Sequence, residues 1–267
     1  MNKLNGPVRV IAWRISYMFL KRWFLKNLLS VLYMNIIEKK LLREMWIRIL
    51  FRGKYVKVIF KKQGFSLMLK DNPSDDIYAL KWYFLEYMPK KWDIVVDCWA
   101  YIWFTSLYLS KIVWDHWVVL AFEPDDVSYS LLQEHIRINN VKNIRSIKKW
   151  IWKHDGYLSF DWIGAGFHVS DAGKSKLPVI TLETELKNQH ITTVDFIKMD
   201  IEWSEIEVAE SLKNFLLHHT WVHMAIASYH YVDGKQTYVF LEKFFKSIWY
   251  NVKTWFKEHL TTYASKI

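Results

Sequence analysis

The spacing of apolar side chains changes period along this chain, and each change marks an element. Residues 10–51, "VIAWRISYMFLKRWFLKNLLSVLYMNIIEKKLLREMWIRILF", carry apolar positions at helical spacing between lysines and arginines, which predicts one or two basic, aromatic-rich helices. "YVKVIF" (55–60) and "FSLMLK" (65–70) are joined across Lys61 to Gly64 and predict a β-hairpin. "NPSDDIYALKWYFLEYM" (72–88) opens on turn chemistry at Asn72 to Ser74 and continues with helical periodicity.

Beyond residue 92 the chain alternates regularly. β-Branched apolar runs stand at "DIVVDC" (93–98), "WVVLAF" (117–122), "NIRSIK" (143–148), "VDFIKMD" (194–200) and "VHMAIAS" (222–228), with amphipathic segments between most of them. "YNVKTWF" (250–256) and "HLTTYAS" (259–265) read as shorter closing strands. Continuous apolar strands separated by helices predict an α/β, Rossmann-like, mostly parallel doubly wound sheet covered on both faces. The expected division is a basic amphipathic helical extension at 1–54 and one α/β domain at 55–267.

Composition narrows the class. Of 267 residues 52% are hydrophobic, which describes a chain able to bury a core. The longest uncharged stretch near the N-terminus, Asn27 to Ile37, is shorter than the roughly 18 apolar residues a membrane-spanning helix needs, and no cleavable signal peptide is evident. The single cysteine, Cys98, forms no internal disulfide, so a reducing, cytoplasmic setting is expected. Residues 1–60 hold 13 Lys/Arg against two acids, while the remainder is nearly neutral. Two readings of that charge stand side by side: a helical cap packing its apolar stripe on the main domain, or peripheral contact of residues 1–52 with an anionic membrane surface. Nucleic acid is not expected as a partner, because no binding motif accompanies the charge.

In a doubly wound sheet ligands bind beyond the carboxyl ends of the strands, where strand order switches. Those ends carry Asp97, Glu123, Asp200 with Glu202, and Ser228 to His230. Glu123 lies about 20 residues after the first turn, where such a fold binds ribose hydroxyls; the alternative is an exposed loop carboxylate. Asp97 replaces the glycine-led start of a pyrophosphate cradle with an acid. That favours a cofactor with a cationic amino-acid moiety, such as S-adenosylmethionine. No metal-ligand spacing and no phosphate-binding lysine loop is present.

"VVDCWAYIWFTSLYLS", "VVLAFEPDDVSYSLLQEHIRINNV", "WKHDGYLSF", "VDFIKMDIEWSEIEV", "IASYHYVDG" and "HLTTYA" together resemble, in order, the FkbM-type S-adenosylmethionine-dependent methyltransferases. The resemblance covers roughly residues 55–267. It implies methyl transfer to an acceptor oxygen of a sugar or other small-molecule hydroxyl. It also implies that Asp97 and the turn with Trp99, Ala100, Tyr101 and Trp103 hold the methionine end of the cofactor, and that Glu123 holds the ribose. Asp155 either lies near the adenine or simply turns the chain with Gly156. Asp200 and Glu202 face cofactor or acceptor, with a helix-capping role for Glu202 and Glu205 as the alternative. His230 is the candidate base, set against a structural role. Lys198, inside an apolar strand, needs a partner, for which Asp200 is the candidate.

The family pattern D-x-G-A-x-x-G has Trp99 and Trp103 at its glycines here, and D-I-E-G-x-E has Trp203. Average usage of about 7% predicts roughly 19 glycines for this length; the chain has 8, with 16 tryptophans. Trp92, Trp99, Trp103, Trp114, Trp117, Trp150, Trp162, Trp203, Trp221, Trp249 and Trp255 stand at turn-like positions where relatives carry glycine or another small residue, as in a natural methyltransferase altered from glycine to tryptophan. The competing functional class is a non-catalytic Rossmann-like scaffold, its cleft filled by indoles and its basic extension on a membrane surface.

Overall fold

The computed structural model describes residues 23–70, 73–100, 104–114, 116–163, 166–169, 175–202, 204–219, 221–256 and 259–266. Contacts divide the chain into two compact units, the first ending at Asp75 and the second running from Asp76 to Ile267.

In the first unit, α1 (Trp23–Ile36) and α2 (Lys39–Glu44) precede β1 (Ile47–Arg52), β2 (Tyr55–Phe60) and β3 (Phe65–Leu69). The strands form an antiparallel sheet in the order β1-β2-β3. The expected hairpin is β2–β3, but residues 47–52 are a strand where helical continuation was expected. Ile47 and Ile49 are buried and Arg48 is exposed, a period-two pattern, and Gly53 at φ 65° begins the two-residue turn into β2. Helix α1 packs its stripe within this unit. Val31 and Met34 are buried, and the Asn27 amide donates to the Lys70 carbonyl at 2.9 Å. Leu29, Leu32 and Ile36 stay exposed. No helix of the described residues is long and apolar enough to cross a membrane. Residues 1–22 of the basic extension lie outside the described residues.

The second unit takes in most of α3 (Ser74–Tyr83) and then builds the large sheet. Its elements are β4 (Val95–Cys98), α4 (Phe104–Val113), β5 (Val119–Phe122), α5 (Asp126–Ile138), β6 (Ile144–Ile147), β7 (Trp150–Ile151), β8 (Gly156–Ile163), β9 (Gly166–Val169), β10 (Ser175–Ile180), α6 (Leu182–Asn188), β11 (Phe196–Met199), α7 (Glu205–Ser211), α8 (Lys213–His218), β12 (His223–Ala227), β13 (Tyr231–Val232), β14 (Lys235–Gln236), α9 (Thr237–Ser247), β15 (Asn251–Trp255) and β16 (Thr261–Ser265). The seven-stranded order is β15-β16-β12-β11-β4-β5-β6. Pairing is parallel from β12 to β6 and antiparallel at β16 and β15. The chain moves outward from β4 through β5 and β6, then returns to lay β11 on the other side of β4. The switch point therefore lies between β4 and β11.

Every residue of β4, β5 and β11 is buried, as their unbroken apolar runs require of strands covered on both faces. The sheet order β7-β10-β8-β9 and the β13–β14 hairpin add to the predicted elements. In that hairpin Asp233 and Gly234 both have positive φ, the geometry of a tight two-residue turn.

Trp46, Trp92, Trp99, Trp114 and Trp249 have φ of 56°, 79°, 99°, 74° and 60°. An L-residue in this region brings Cβ against the backbone, and a bulky one there is a genuine outlier. Trp92, Trp99, Trp114 and Trp249 thus keep a backbone that suits glycine. Trp46 joins them, while Trp117, Trp150 and Trp255 do not have positive φ. Trp249 follows the end of α9, where the Tyr250 amide donates to the Phe245 carbonyl at 3.0 Å and the Trp249 amide to that of Lys246 at 3.2 Å. Glycine dominates the left-handed position after a helix end closed by such bonds. The indole there is 79% exposed, so little packing offsets the strain. Trp249→Gly is expected to stabilise the protein by about 1 kcal/mol, strain relief outweighing the unfolded-state entropy of glycine. Urea denaturation checks this, and an unchanged or lower midpoint refutes it.

Candidate active site at the sheet switch point

The centre of the site is a buried ion pair across β4 and β11. Register sets Asp97 opposite Lys198. Lys198 Nζ lies 3.1 Å from Asp97 Oδ1, with both side chains almost wholly inaccessible. The Ser106 hydroxyl donates to Asp97 Oδ2 at 2.6 Å, so helix α4 is tied to the same carboxylate. Lys198 also donates to the Trp99 carbonyl at 2.8 Å, fixing the turn after β4. Burial works against the Lys198 charge, but the carboxylates of Asp97 and Asp200 outweigh it and raise its pKa. The direct partner of Lys198 is thus Asp97 and not Asp200, because residues opposite each other on neighbouring strands share a face whereas Asp200 lies beyond the end of β11.

In the turn, Ala100 is buried and its amide donates to the Phe122 carbonyl at 2.8 Å. The Trp99 indole lies against Trp150, ring centres 5.1 Å apart, at the margin of the core. Tyr101 and Trp103 lie outside the described residues, as does Trp203.

Glu123 follows β5 and is 1% exposed, so the exposed-loop alternative is excluded. Its Oε1 accepts the Asp125 amide at 2.9 Å, while its buried Oε2 has no hydrogen-bond partner. Burial pushes its pKa up to about 8, against the lowering effect of the Asp125 amide. Asp125 in turn caps α5, accepting from the amides of Val127 and Ser128. An unmatched carboxylate oxygen in a dry setting suits a ligand hydroxyl. Asp155 is engaged otherwise: its oxygens accept the Thr181 amide at 2.7 Å and the Thr184 hydroxyl at 2.8 Å, anchoring the start of α6. The Thr181 amide is the main cause of its lowered pKa.

A second group gathers beyond β11 and β12. Asp200 accepts from the Tyr83 hydroxyl at 2.8 Å and the Tyr229 hydroxyl at 3.3 Å. His259 Nε2 lies 3.3 Å from the Tyr83 hydroxyl, and its ring stacks on Trp82 with centres 4.2 Å apart. Glu202 Oε2 is 3.4 Å from His230 Nε2, and Glu205 Oε1 is 3.2 Å from His230 Nδ1. Burial alone lowers the His230 pKa, yet the two glutamates raise it to about 10. Glu205 also accepts the Ile201 amide at 2.9 Å, a bond to the segment before α7 and not a cap on the helix itself. Asp200, Glu205 and His230 bring ligand-type atoms within 4.8 Å of one another.

The structure thus joins Asp97, Trp99 and Ala100 around the turn and places Asp200, Glu202 and His230 together. Tyr83, Tyr229 and His259 are site residues that sequence reasoning did not assign. Tyr229 adjoins His230 and His259 opens "HLTTYA", so both lie within the segments that carry the resemblance, whereas Tyr83 sits in α3 and carries no local signal.

Residues 97–258 match the Methyltransferase FkbM domain family, which is more than half of the chain. The chain belongs to the FkbM methyltransferase family. No curated protein matches its sequence. Among solved structures it is similar to the methyltransferase FkbM from Methylobacillus flagellatus KT, at TM-score 0.53 and 18% identity over 70% of this chain and 47% of that one. It spans about half the length of that relative, and the likeness shows a shared fold. Fibrillarin from Aeropyrum pernix with bound S-adenosyl-L-methionine aligns at TM-score 0.46 and 12% identity over 82% of this chain and 99% of that one. SMU.1697c from Streptococcus mutans, in complex with SAH, aligns at 0.44 and 14% over 71% and 97%. The FkbM chain described here thus has a Rossmann-like fold with a mostly parallel central sheet.

Glu123 gives a pH test. Its folded pKa near 8 lies above the ordinary carboxylate range, so the folded state keeps a proton that the unfolded chain releases. The Glu123 contribution to stability therefore falls as pH rises from the ordinary carboxylate range towards 8, by up to about 1.4 kcal/mol per pH unit. Urea titrations between pH 5 and 9 are expected to show wild-type stability dropping relative to Glu123→Gln, and a pH-independent difference refutes the assignment.

Proposed function

We propose that this chain transfers a methyl group from S-adenosylmethionine to the oxygen of a sugar or other small-molecule hydroxyl. The observation that carries the reading is the gathering of two polar groups at adjoining strand ends around the switch point. One group surrounds Asp97 and Glu123, and the other surrounds Asp200 and His230.

The residues fit the cofactor. The unpartnered, buried Oε2 of Glu123 takes a ribose hydroxyl. Asp97 acts on the methionine end through the turn it fixes, because Ser106 and Lys198 already occupy its two oxygens. When bound, the cofactor supplies a methyl group activated by a cationic sulfur. The protein's task is to hold the acceptor oxygen in line with that methyl and receive the hydroxyl proton. Asp200, held by Tyr83 and Tyr229, orients the acceptor. Glu202 stands beside it to take the proton, and His230, which the sequence offers as the base, is instead held charged between Glu202 and Glu205.

Position 99 decides access to the methionine end. Calorimetric titration of S-adenosylmethionine is expected to show binding about tenfold or more tighter in the Trp99→Gly/Trp103→Gly/Trp203→Gly variant than in the parent, the equivalent of removing at least about 1.4 kcal/mol of overpacking. Circular dichroism confirms that both are folded. If neither folded protein binds, the reading falls and the chain is a scaffold without cofactor.

A further inference from the structure

We propose that Asp200, Glu205 and His230 form a site for one divalent cation. The three come from different places: the residue after β11, the first residue of α7, and the segment after β12. Their ligand atoms all lie within 4.8 Å of one another, and Glu205 and His230 are buried. Glu205 is wholly inaccessible, and although Oε1 accepts the Ile201 amide, its buried Oε2 has no hydrogen-bond partner. A buried carboxylate oxygen left unmatched is costly, and a cation satisfies it directly.

The surroundings match a ligand set. Glu202 Oε2 faces His230 Nε2 and Glu205 Oε1 faces Nδ1, so an ion bound among Asp200, Glu205 and His230 takes the place of the ring proton on Nδ1. A carboxylate behind a ligating histidine fixes its tautomer and ring orientation. The hydroxyls of Tyr83 and Tyr229 hold Asp200 in the same way. Two carboxylates and one imidazole suit manganese, magnesium or zinc, with positions left for water and an acceptor hydroxyl. A bound cation lowers the pKa of a coordinated hydroxyl, so the site prepares the acceptor oxygen for methylation. That chemical role rests on the function proposed above, whereas cation binding does not.

The probe is Mn2+, titrated into the full chain and followed by electron paramagnetic resonance of the free ion. One Mn2+ per folded chain is expected, with affinity reduced at least about tenfold in Glu205→Gln and in His230→Gln. Circular dichroism controls the fold of each variant. Absence of binding by the folded wild type overturns the proposal without any variant, as does equal binding by folded variants. Mn2+ binding without S-adenosylmethionine binding leaves this site standing and removes the methyltransferase reading.

An independent observation, the backbone at five tryptophans, carries a second inference. We infer that the source cell places glycine at positions 46, 92, 99, 114 and 249. All five have φ between 56° and 99°, where indole side chains are strained and glycine is not. The chain as a whole is poor in glycine and rich in tryptophan, with 8 and 16 respectively. A triplet that different genetic codes assign to stop, tryptophan or glycine accounts for such a set. Peptide mass spectrometry of the protein isolated from its own cells is expected to find glycine at these five positions. Tryptophan in those peptides overturns the inference.

Discussion

The Asp97–Lys198 pair is the constraint on which the site depends. A lysine inside an apolar strand is tolerated because a carboxylate stands opposite it, and neither charge meets water. Removing one member of such a pair typically costs about 3 to 5 kcal/mol, since the other charge is left buried and uncompensated. The pair does more than neutralise itself. Through Ser106 it fixes α4, and through the Trp99 carbonyl it fixes the turn after β4. Strand pairing, helix placement and turn shape at the switch point therefore share one electrostatic centre.

Around that centre the site separates into two chemical halves. Glu123 is dry and holds its proton more tightly than an ordinary carboxylate, because burial dominates its environment. His230 is equally shielded, yet its charge is favoured because two glutamates flank the ring. Burial acts on both groups, and the neighbouring carboxylates decide the sign for His230. The half beyond β11 and β12 is the more anionic, and aromatic rings from α3 and the segments before β13 and β16 enclose it.

The tryptophans with positive φ stand outside the strands that build the sheet. A chain with glycine geometry at five indoles has strain distributed over turns and helix ends, away from the buried strands. Sheet register and core packing depend on the apolar runs, and those are intact. Trp99 is the exception with functional consequence, since its turn belongs to the site.

The sequence determined the parallel sheet, because unbroken β-branched runs are stable only when both faces are covered. It also located Asp97, Glu123, Asp200 and His230, because strand ends follow directly from where those runs stop. Residues 47–52 were less legible, since the six residues IRILFR fit a short helix pattern as well as a strand until the sheet is present. Tertiary structure alone decided the partners. Lys198 belongs to Asp97 through strand register, Glu205 meets His230 through the path of the chain after β12, and Tyr83 reaches Asp200 from more than a hundred residues away. Local periodicity specifies which way a side chain faces along its own element; which charge or hydroxyl it meets is set by long-range pairing that no local pattern encodes.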